Sequence, residues 1–498
     1  MRRGPLLIAG VLLLALVVRL IGVTARPLWY DEAFAVLFAE KGPVLMLSGT
    51  LSPAAGVASD VHPLAYYSLL WVWIRILGES PLAVRGLSIL LGLGVISSAY
   101  FLATSLFGRN LALLSALLLS FSPFQVHYAQ EVRMYVLLAF FLVISTFSVW
   151  KGMDTHRWYW WALFAACAVL SQYTHNLAIF YLFPLALTPL VARDWRSTKS
   201  LIFAGIAALI LYLPWLLQLP AQFAKVHQSY WTTRPTPARL VTTLMSFVTN
   251  LPVQESWLPV ALFVTLLVFV FAAWQTSRAI RSRTPGFRKG LWLAHLSFSP
   301  VILLFLFSQW QPVFIERALL PSGVLFLIWI GWAISQTNAP KPVGRFALLI
   351  LLVGMIVGLQ QNIAYLGFPY GPYAKLDAYL AESVAPQDVI LHSNKLTLLP
   401  SYYYNRDLPQ EYVADSPGSG SDTLALPTQK VLGLLAQPSM ESAVGGANRV
   451  WFIVFSRAIE EYRALGEPTH PHLSWLDAHY HLVRVEKWDD ILLYVYIH

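Results

Sequence analysis

Two adjacent carboxylates, Asp31 and Glu32, follow the first apolar run of the chain and are flanked by Trp29, Tyr30 and Phe34. An acid pair at the water side of a bilayer interface is within reach of a lipid headgroup, and a carboxylate there can take the proton of an incoming hydroxyl. Six more ionisable groups stand at the ends of later apolar runs: His62, Glu131, Arg133, His175, Glu316 and Arg317. Charges near or inside a bilayer are expensive and mark a polar cavity or a partner. Guanidinium groups grip phosphate oxygens bidentately and stabilise charge developing on a leaving group. Each residue also has a plainer reading. Asp31 and Glu32 favour the N-terminus of a helix starting near Ala33, Glu131 and Arg133 form a solvated loop pair, and His62 is an interfacial residue. On the same terms His175 is a hairpin tip and Arg317 snorkels to the interface. Their gathering on one side of the membrane favours the chemical reading, with Asp31 as the base.

The elements that must position these groups are apolar helices. Of 498 residues 57% are hydrophobic and 12% charged, against about 25% charged in a soluble domain. Runs of spanning length lie at 5–23, 84–106, 111–127, 135–150, 158–174, 176–192, 200–219, 257–277, 291–309, 314–335 and 345–362, so the sequence predicts an all-α polytopic membrane protein of about eleven transmembrane helices. The stretch His62–Leu77 resembles a further span. If it crossed, the cluster Arg278, Arg281, Arg283, Arg288 and Lys289 would face outward. Taken instead as a juxtamembrane helix, it leaves the basic residues of nearly every short loop on the cytoplasmic side, opposed only by Asp154 and Asp194. The N-terminus is then cytoplasmic. The acid pair, the 130–135 turn, the 173–176 hairpin, the 220–256 loop and everything after about 363 are extracytoplasmic. Met1-Arg2-Arg3 and the following apolar run imitate a signal peptide with a weak cleavage site at Val23-Thr24-Ala25, but the run continues and further spans follow, so a retained first helix is expected.

The domain division expected is 1–362, a membrane catalytic domain, and 363–498, a small extracytoplasmic α/β domain. In the latter, 389–391, 450–455 and 491–497 read as buried strands, Lys375–Ser383 and Ala458–Leu465 as helices, and Asp415–Ser421 as a loop. No catalytic signature stands out in it. In the 220–256 loop, Tyr230–Pro237 reads as a lid, and Leu240, Val241, Leu244, Met245 and Val248 follow at helical spacing. The net charge of +9 lies largely in loops on one side and is no nucleic-acid footprint. The single Cys167 excludes an intramolecular disulfide, and no dinucleotide, Walker or zinc-type spacing is present.

The order of motifs resembles the GT-C membrane glycosyltransferases, closest to the dolichyl-phosphate-mannose protein mannosyltransferase and lipid A aminoarabinose transferase superfamily. The resemblance rests on Trp29-Tyr30-Asp31-Glu32 and on His62-Pro63-Leu64-Ala65-Tyr66-Tyr67, with one proline where the family has two. It continues through Ala83-Val84-Arg85, Leu106-Phe107-Gly108-Arg109, Ser122-Pro123-Phe124 and Gln130-Glu131-Val132-Arg133-Met134-Tyr135. It ends at Glu316-Arg317-Ala318-Leu319-Leu320-Pro321, where Ala318 replaces an aromatic. The resemblance covers about residues 1–360. It implies inverting transfer of a sugar from a polyprenyl-phosphate donor to a lipid, glycan or protein hydroxyl. Asp31 would be the base, Glu131 a catalytic or orienting carboxylate, and Arg317 with Arg133 the donor-phosphate ligands. Glu32, His62, His175 and Glu316 are supporting or metal-ligand candidates; a divalent metal is left open and no other cofactor is implied. The reading from a different class is a lipid-linked sugar flippase, against which the ionisable groups gather at one face rather than the midplane.

Overall fold

The apolar runs fold as helices, because a backbone in hydrocarbon must satisfy its own polar groups. The computed structural model describes residues 3–51, 62–223, 232–335, 341–365, 367–414 and 423–498. Among them, seven helices are long and apolar enough to cross a bilayer: Pro81–Phe107, Tyr135–Thr155, Trp195–Leu216, Glu255–Arg281, Phe287–Ser308, Glu316–Ile334 and Pro342–Ala364. An eighth crossing arises if Arg109–Phe121 and Pro123–Ala129, bent by 60°, act as one. The other three expected spans are shorter or broken: Arg3–Leu20, Trp158–Thr174, and 176–191, which a 3-10 turn opens and Leu187 interrupts. A helix of 17 residues rises about 26 Å, just under the ~30 Å of hydrocarbon, so length alone does not bring the count to eleven. The protein is multi-pass. The helix Ala65–Leu77 has 13 residues, about 20 Å of rise, too short to span.

The described chain divides into two compact units, the first being Met1–Val23, Arg85–Leu217 and Thr232–Tyr365, the second Thr24–Val84, Gln218–Trp231 and Leu366–His498. In the first, hydropathy alone does not distinguish central from peripheral helices; burial does. The apolar window of Glu316–Ile334 is 89% buried, whereas that of Trp195–Leu216 is 22% buried and turns Phe203, Ile210 and Leu211 outward, as a lipid-facing helix would. Close packing of the central helix uses a glycine: a methyl group at Gly290 would overlap the Trp332 ring. The bend at Ser122 follows from its sequence. Pro123 cannot continue a preceding helix, and Ser122 Oγ caps the new one by accepting from the Gln125 amide at 3.5 Å. The amphipathic stretch after the 220–256 loop forms the helix Ala238–Val248. Of the expected lid, Tyr230 and Trp231 lie outside the described residues, as do residues 415–421 of the expected C-terminal loop.

The second unit is built on a five-stranded sheet of β1 (Val389–His392), β2 (Gln410–Tyr412), β3 (Arg449–Phe455), β4 (His481–Trp488) and β5 (Ile491–Ile497), in the order β2-β1-β3-β5-β4. β1 pairs in parallel with β2 and β3, while β5 runs antiparallel to both β3 and β4. The continuous apolar run of β3 reflects burial on both faces. Val450, Phe452 and Val454 pack with Leu473 and Leu476, while Trp451, Ile453 and Phe455 pack with Tyr373, Leu376 and Leu380. The predicted strands and helices of this region are present, the helices as Tyr373–Ser383 and Ser456–Ala464. The first loop belongs to the same unit. Its helix Tyr30–Ala39 packs on Ala65–Leu77 through Phe34, Phe38 and Tyr67, and also on Lys395–Tyr404; its helix Gly42–Leu51 packs on Leu426–Leu432. Arg406 ties the ends together, its Nη2 lying 2.6 Å from Glu40 and 3.3 Å from Glu79.

Candidate active site

In the second unit the acid pair occupies the first turn of the helix Tyr30–Ala39, where carboxylates complement the helix dipole. The plain capping expectation therefore has a structural basis, and it does not distinguish the two residues. Burial does. Glu32 is fully buried, whereas Asp31 is partly exposed and so open to an incoming group. The residues leading into the pair are held firmly: the Leu28 amide donates to the Tyr404 hydroxyl at 3.0 Å, Trp29 meets Tyr370 edge-on at 6.2 Å, and the Arg26 guanidinium lies 4.8 Å from the Tyr370 ring. The Lys395 ammonium lies 5.6 Å from the centre of the Tyr30 ring. His62 is half-buried at the entrance to the helix Ala65–Leu77.

In the first unit the bend at Ser122 delivers a polar turn into the apolar bundle. Glu131 and Arg133 are both buried, at 3% and 4% exposure, in the turn between the helices Pro123–Ala129 and Tyr135–Thr155. They are therefore not a solvated loop pair. The turn is anchored by Gln130, whose Nε2 donates to the Arg19 and Ile21 carbonyls at 2.9 and 2.8 Å. One side chain that sequence reasoning missed completes it. His127 lies one helical turn before Glu131, with Nε2 at 3.2 Å from Glu131 Oε1 and Nδ1 at 2.5 Å from Asn362 Oδ1. The imidazole is thus a strut between the last long helix and the carboxylate.

Tyr128 and Tyr135 carry the cluster onward. Their rings are 5.8 Å apart, the Tyr135 ring lies 5.7 Å from His175, and the Arg317 guanidinium lies 5.0 Å from the Tyr135 ring. Tyr128 is within electrostatic reach of Glu131, Glu316 and Arg317. Glu131, His175, Glu316 and Arg317, separate in sequence, are therefore neighbours around two tyrosines. His175 is also engaged locally, its Nδ1 accepting from the Leu177 amide at 3.1 Å. Glu316 is gripped by Arg239 of the helix Ala238–Val248, with Nε at 2.5 Å from Oε1 and Nη2 at 3.0 Å from Oε2. That bidentate pair gives Glu316 a tethering role. Among the described residues no group of three or more His, Cys, Asp and Glu side chains is placed to hold a metal ion.

Over 98% of its length the chain superposes on ArnT from Cupriavidus metallidurans bound to undecaprenyl phosphate, covering 97% of that chain, with a TM-score of 0.62 at 14% identity. The chain has the GT-C fold. A second GT-C relative, the Archaeoglobus fulgidus oligosaccharyltransferase AglB in complex with an inhibitory peptide and a dolichol-phosphate, matches 99% of this chain and 74% of its own, with a TM-score of 0.52 at 10% identity. Residues 61–217 match the profile of the dolichyl-phosphate-mannose-protein mannosyltransferase family. That stretch runs from the start of the His62 motif through the whole His127–Glu131 turn to the end of the helix Trp195–Leu216. No curated protein matches the chain.

Proposed function

We propose that this protein is an inverting glycosyltransferase that moves a sugar from a polyprenyl-phosphate donor to an acceptor hydroxyl on the extracytoplasmic face of its membrane. The observation that carries the reading is the nearly end-to-end likeness to a GT-C enzyme structure bound to undecaprenyl phosphate. The side chains supply matching chemistry. Asp31 accepts the acceptor proton as the hydroxyl oxygen attacks the anomeric carbon. The bond from that carbon to the phosphate oxygen breaks in the same step, inverting the centre and releasing the polyprenyl phosphate. A phosphate needs no acid to leave, but it needs cations, and Arg317 with Arg133 fills that role. Glu131, fixed by His127, orients a sugar or acceptor hydroxyl, while Glu32, His62 and His175 support the chain around these groups. No step is routed through a metal. Residues 1–362 carry the transfer, 363–498 form an extracytoplasmic domain, and the N-terminus is cytoplasmic.

The test is sugar release from polyprenyl-phosphate-linked sugars by purified protein in detergent, with an acceptor panel of lipids, glycans and peptides. Acceptor-dependent release with inverted stereochemistry is the expected result. Movement of the lipid-linked sugar across vesicles without any release would instead establish a flippase.

A further inference from the structure

The C-terminal α/β region carries no catalytic signature in sequence, yet it places a buried cation against the residue that precedes the acid pair. Lys395 is only 7% exposed, and its ammonium lies 5.6 Å from the centre of the Tyr30 ring, the residue directly before Asp31 and Glu32. Lysine is almost never fully buried unless paired, because desolvating an ammonium is costly. The face of a tyrosine ring attracts an ammonium through its quadrupole. The residues that follow Tyr30 are two carboxylates, Asp31 and Glu32, the second of them fully buried.

The lysine is also fixed in place. It opens the helix Lys395–Tyr404, capped by Asn394, whose Oδ1 accepts from the Leu396 amide at 2.9 Å. The far end of the same helix contributes the Tyr404 hydroxyl that accepts from the Leu28 amide at 3.0 Å. One helix thus grips residues 28–30 at both its ends. Its starting point is telling. Lys395 follows the carboxyl end of β1, which lies between β2 and β3, so the chain leaves it to one side and later returns on the other. In open α/β sheets that position, the switch point beyond the strand ends, is where functional groups collect.

We infer that Lys395 is a positioning residue of the transferase site: its ammonium, held against Tyr30 by the C-terminal domain, keeps the Asp31–Glu32 turn oriented for proton abstraction. The inference rests on the reading of Asp31 as the base. The experiment compares full-length parent, Lys395→Met, Lys395→Arg and Asp31→Asn in detergent, using a panel of undecaprenyl-phosphate-linked hexoses and pentoses, with undecaprenyl phosphate binding measured in parallel. The expected result is a fall in kcat of at least ~10-fold in K395M, as for a weakened general base, with donor KM and undecaprenyl phosphate binding unchanged, and recovery of most of kcat in K395R. If K395M does not fold, Lys395→Gln, which removes the charge but keeps a polar hydrogen-bonding end, gives the same comparison. Full kcat in K395M or K395Q alongside an inactive D31N overturns the role of Lys395 and leaves the base assignment standing. Lost undecaprenyl phosphate binding in K395M also overturns it, since the lysine would then be a donor ligand. Full activity in D31N, or no transfer by the parent from any donor of the panel, overturns the underlying reading and this inference with it.

Discussion

At the scale of single residues, the roles divide by what each side chain can still reach. Asp31 is partly exposed at a helix N-terminus, whereas Glu32 beside it is sealed in. Asp31→Asn should therefore lower transfer by about 10²–10⁴-fold, the usual contribution of a general base, while leaving the melting temperature close to the parent's. Glu32→Gln should act chiefly on stability. Rates and melting curves for both variants check this, and an active D31N would remove the base. Arg317, stacked on Tyr135, should act on the donor. Arg317→Ala should lower kcat/KM for the polyprenyl-phosphate sugar by about 10–100-fold, the worth of a charged hydrogen bond of roughly 1.5–3 kcal/mol, with acceptor KM unaltered. Steady-state kinetics with each substrate varied in turn decide it; an unaltered donor dependence would make Arg317 an interfacial anchor. Most of these residues were legible in sequence because a charge at the end of an apolar run is costly wherever it stands. His127 was not. A histidine inside an apolar helical stretch reads as an ordinary core residue, and its partner Asn362 lies 235 positions away. Lys395 was hidden for the same reason: nothing local to it announces Tyr30.

At the scale of elements, the Ser122-Pro123 break and the 3-10 turn at Glu316–Leu319 do similar work, the first interrupting a helix and the second opening one, so that polar side chains project from a rigid support. Both are readable from proline and capping chemistry. The α/β sheet was equally readable, since β1, β3 and β5 are apolar runs of strand length with two buried faces. What hydropathy could not supply is the number of crossings, because Arg3–Leu20, Trp158–Thr174 and the interrupted 176–191 stretch sit at the length limit of a span. The helix Tyr373–Ser383 carries a measurable signature of its own. Asp377 is buried, accepts from Ser401 Oγ at 2.7 Å, and desolvation pushes its carboxyl up to about 8. The fold thus binds a proton there that the unfolded chain releases near its ordinary value of 3.8. The stability this contributes is complete below that value, declines as pH rises, and is lost through about pH 8. Asp377→Asn, permanently neutral, should show a flatter profile. Thermal unfolding of parent and variant at pH 6 and pH 9 checks it: the melting temperature of the parent should fall more between the two than that of D377N, and equal falls would show that Asp377 is ionised in the fold.

At the scale of the molecule, the first loop and the C-terminal region form one compact unit although the sequence separates them by about 280 residues. The linear boundary expected near residue 362 follows composition, and composition carries no information about which distant segment a loop packs against. The apolar contacts of Gly42–Leu51 with Leu426–Leu432 and the Leu28–Tyr404 hydrogen bond are long-range pairings of this kind. A chain ending at residue 365 should therefore lose more than an accessory domain. Proteolysis should cleave it within residues 24–51 and 62–84, which resist in the full chain, and transfer activity should be absent. Protection of 24–51 and 62–84 and activity in the shortened chain would show that these helices fold without the C-terminal region. The interleaving also has a bearing on biogenesis. At roughly 5–20 residues per second, the loop bearing Asp31 waits on the order of tens of seconds before the ribosome has made the segment that holds Tyr30 and Leu28. A copy whose translation stopped before that segment would therefore reach the membrane with its acid pair unsupported, so that a segment synthesised later acts as a proofreading step on one made earlier.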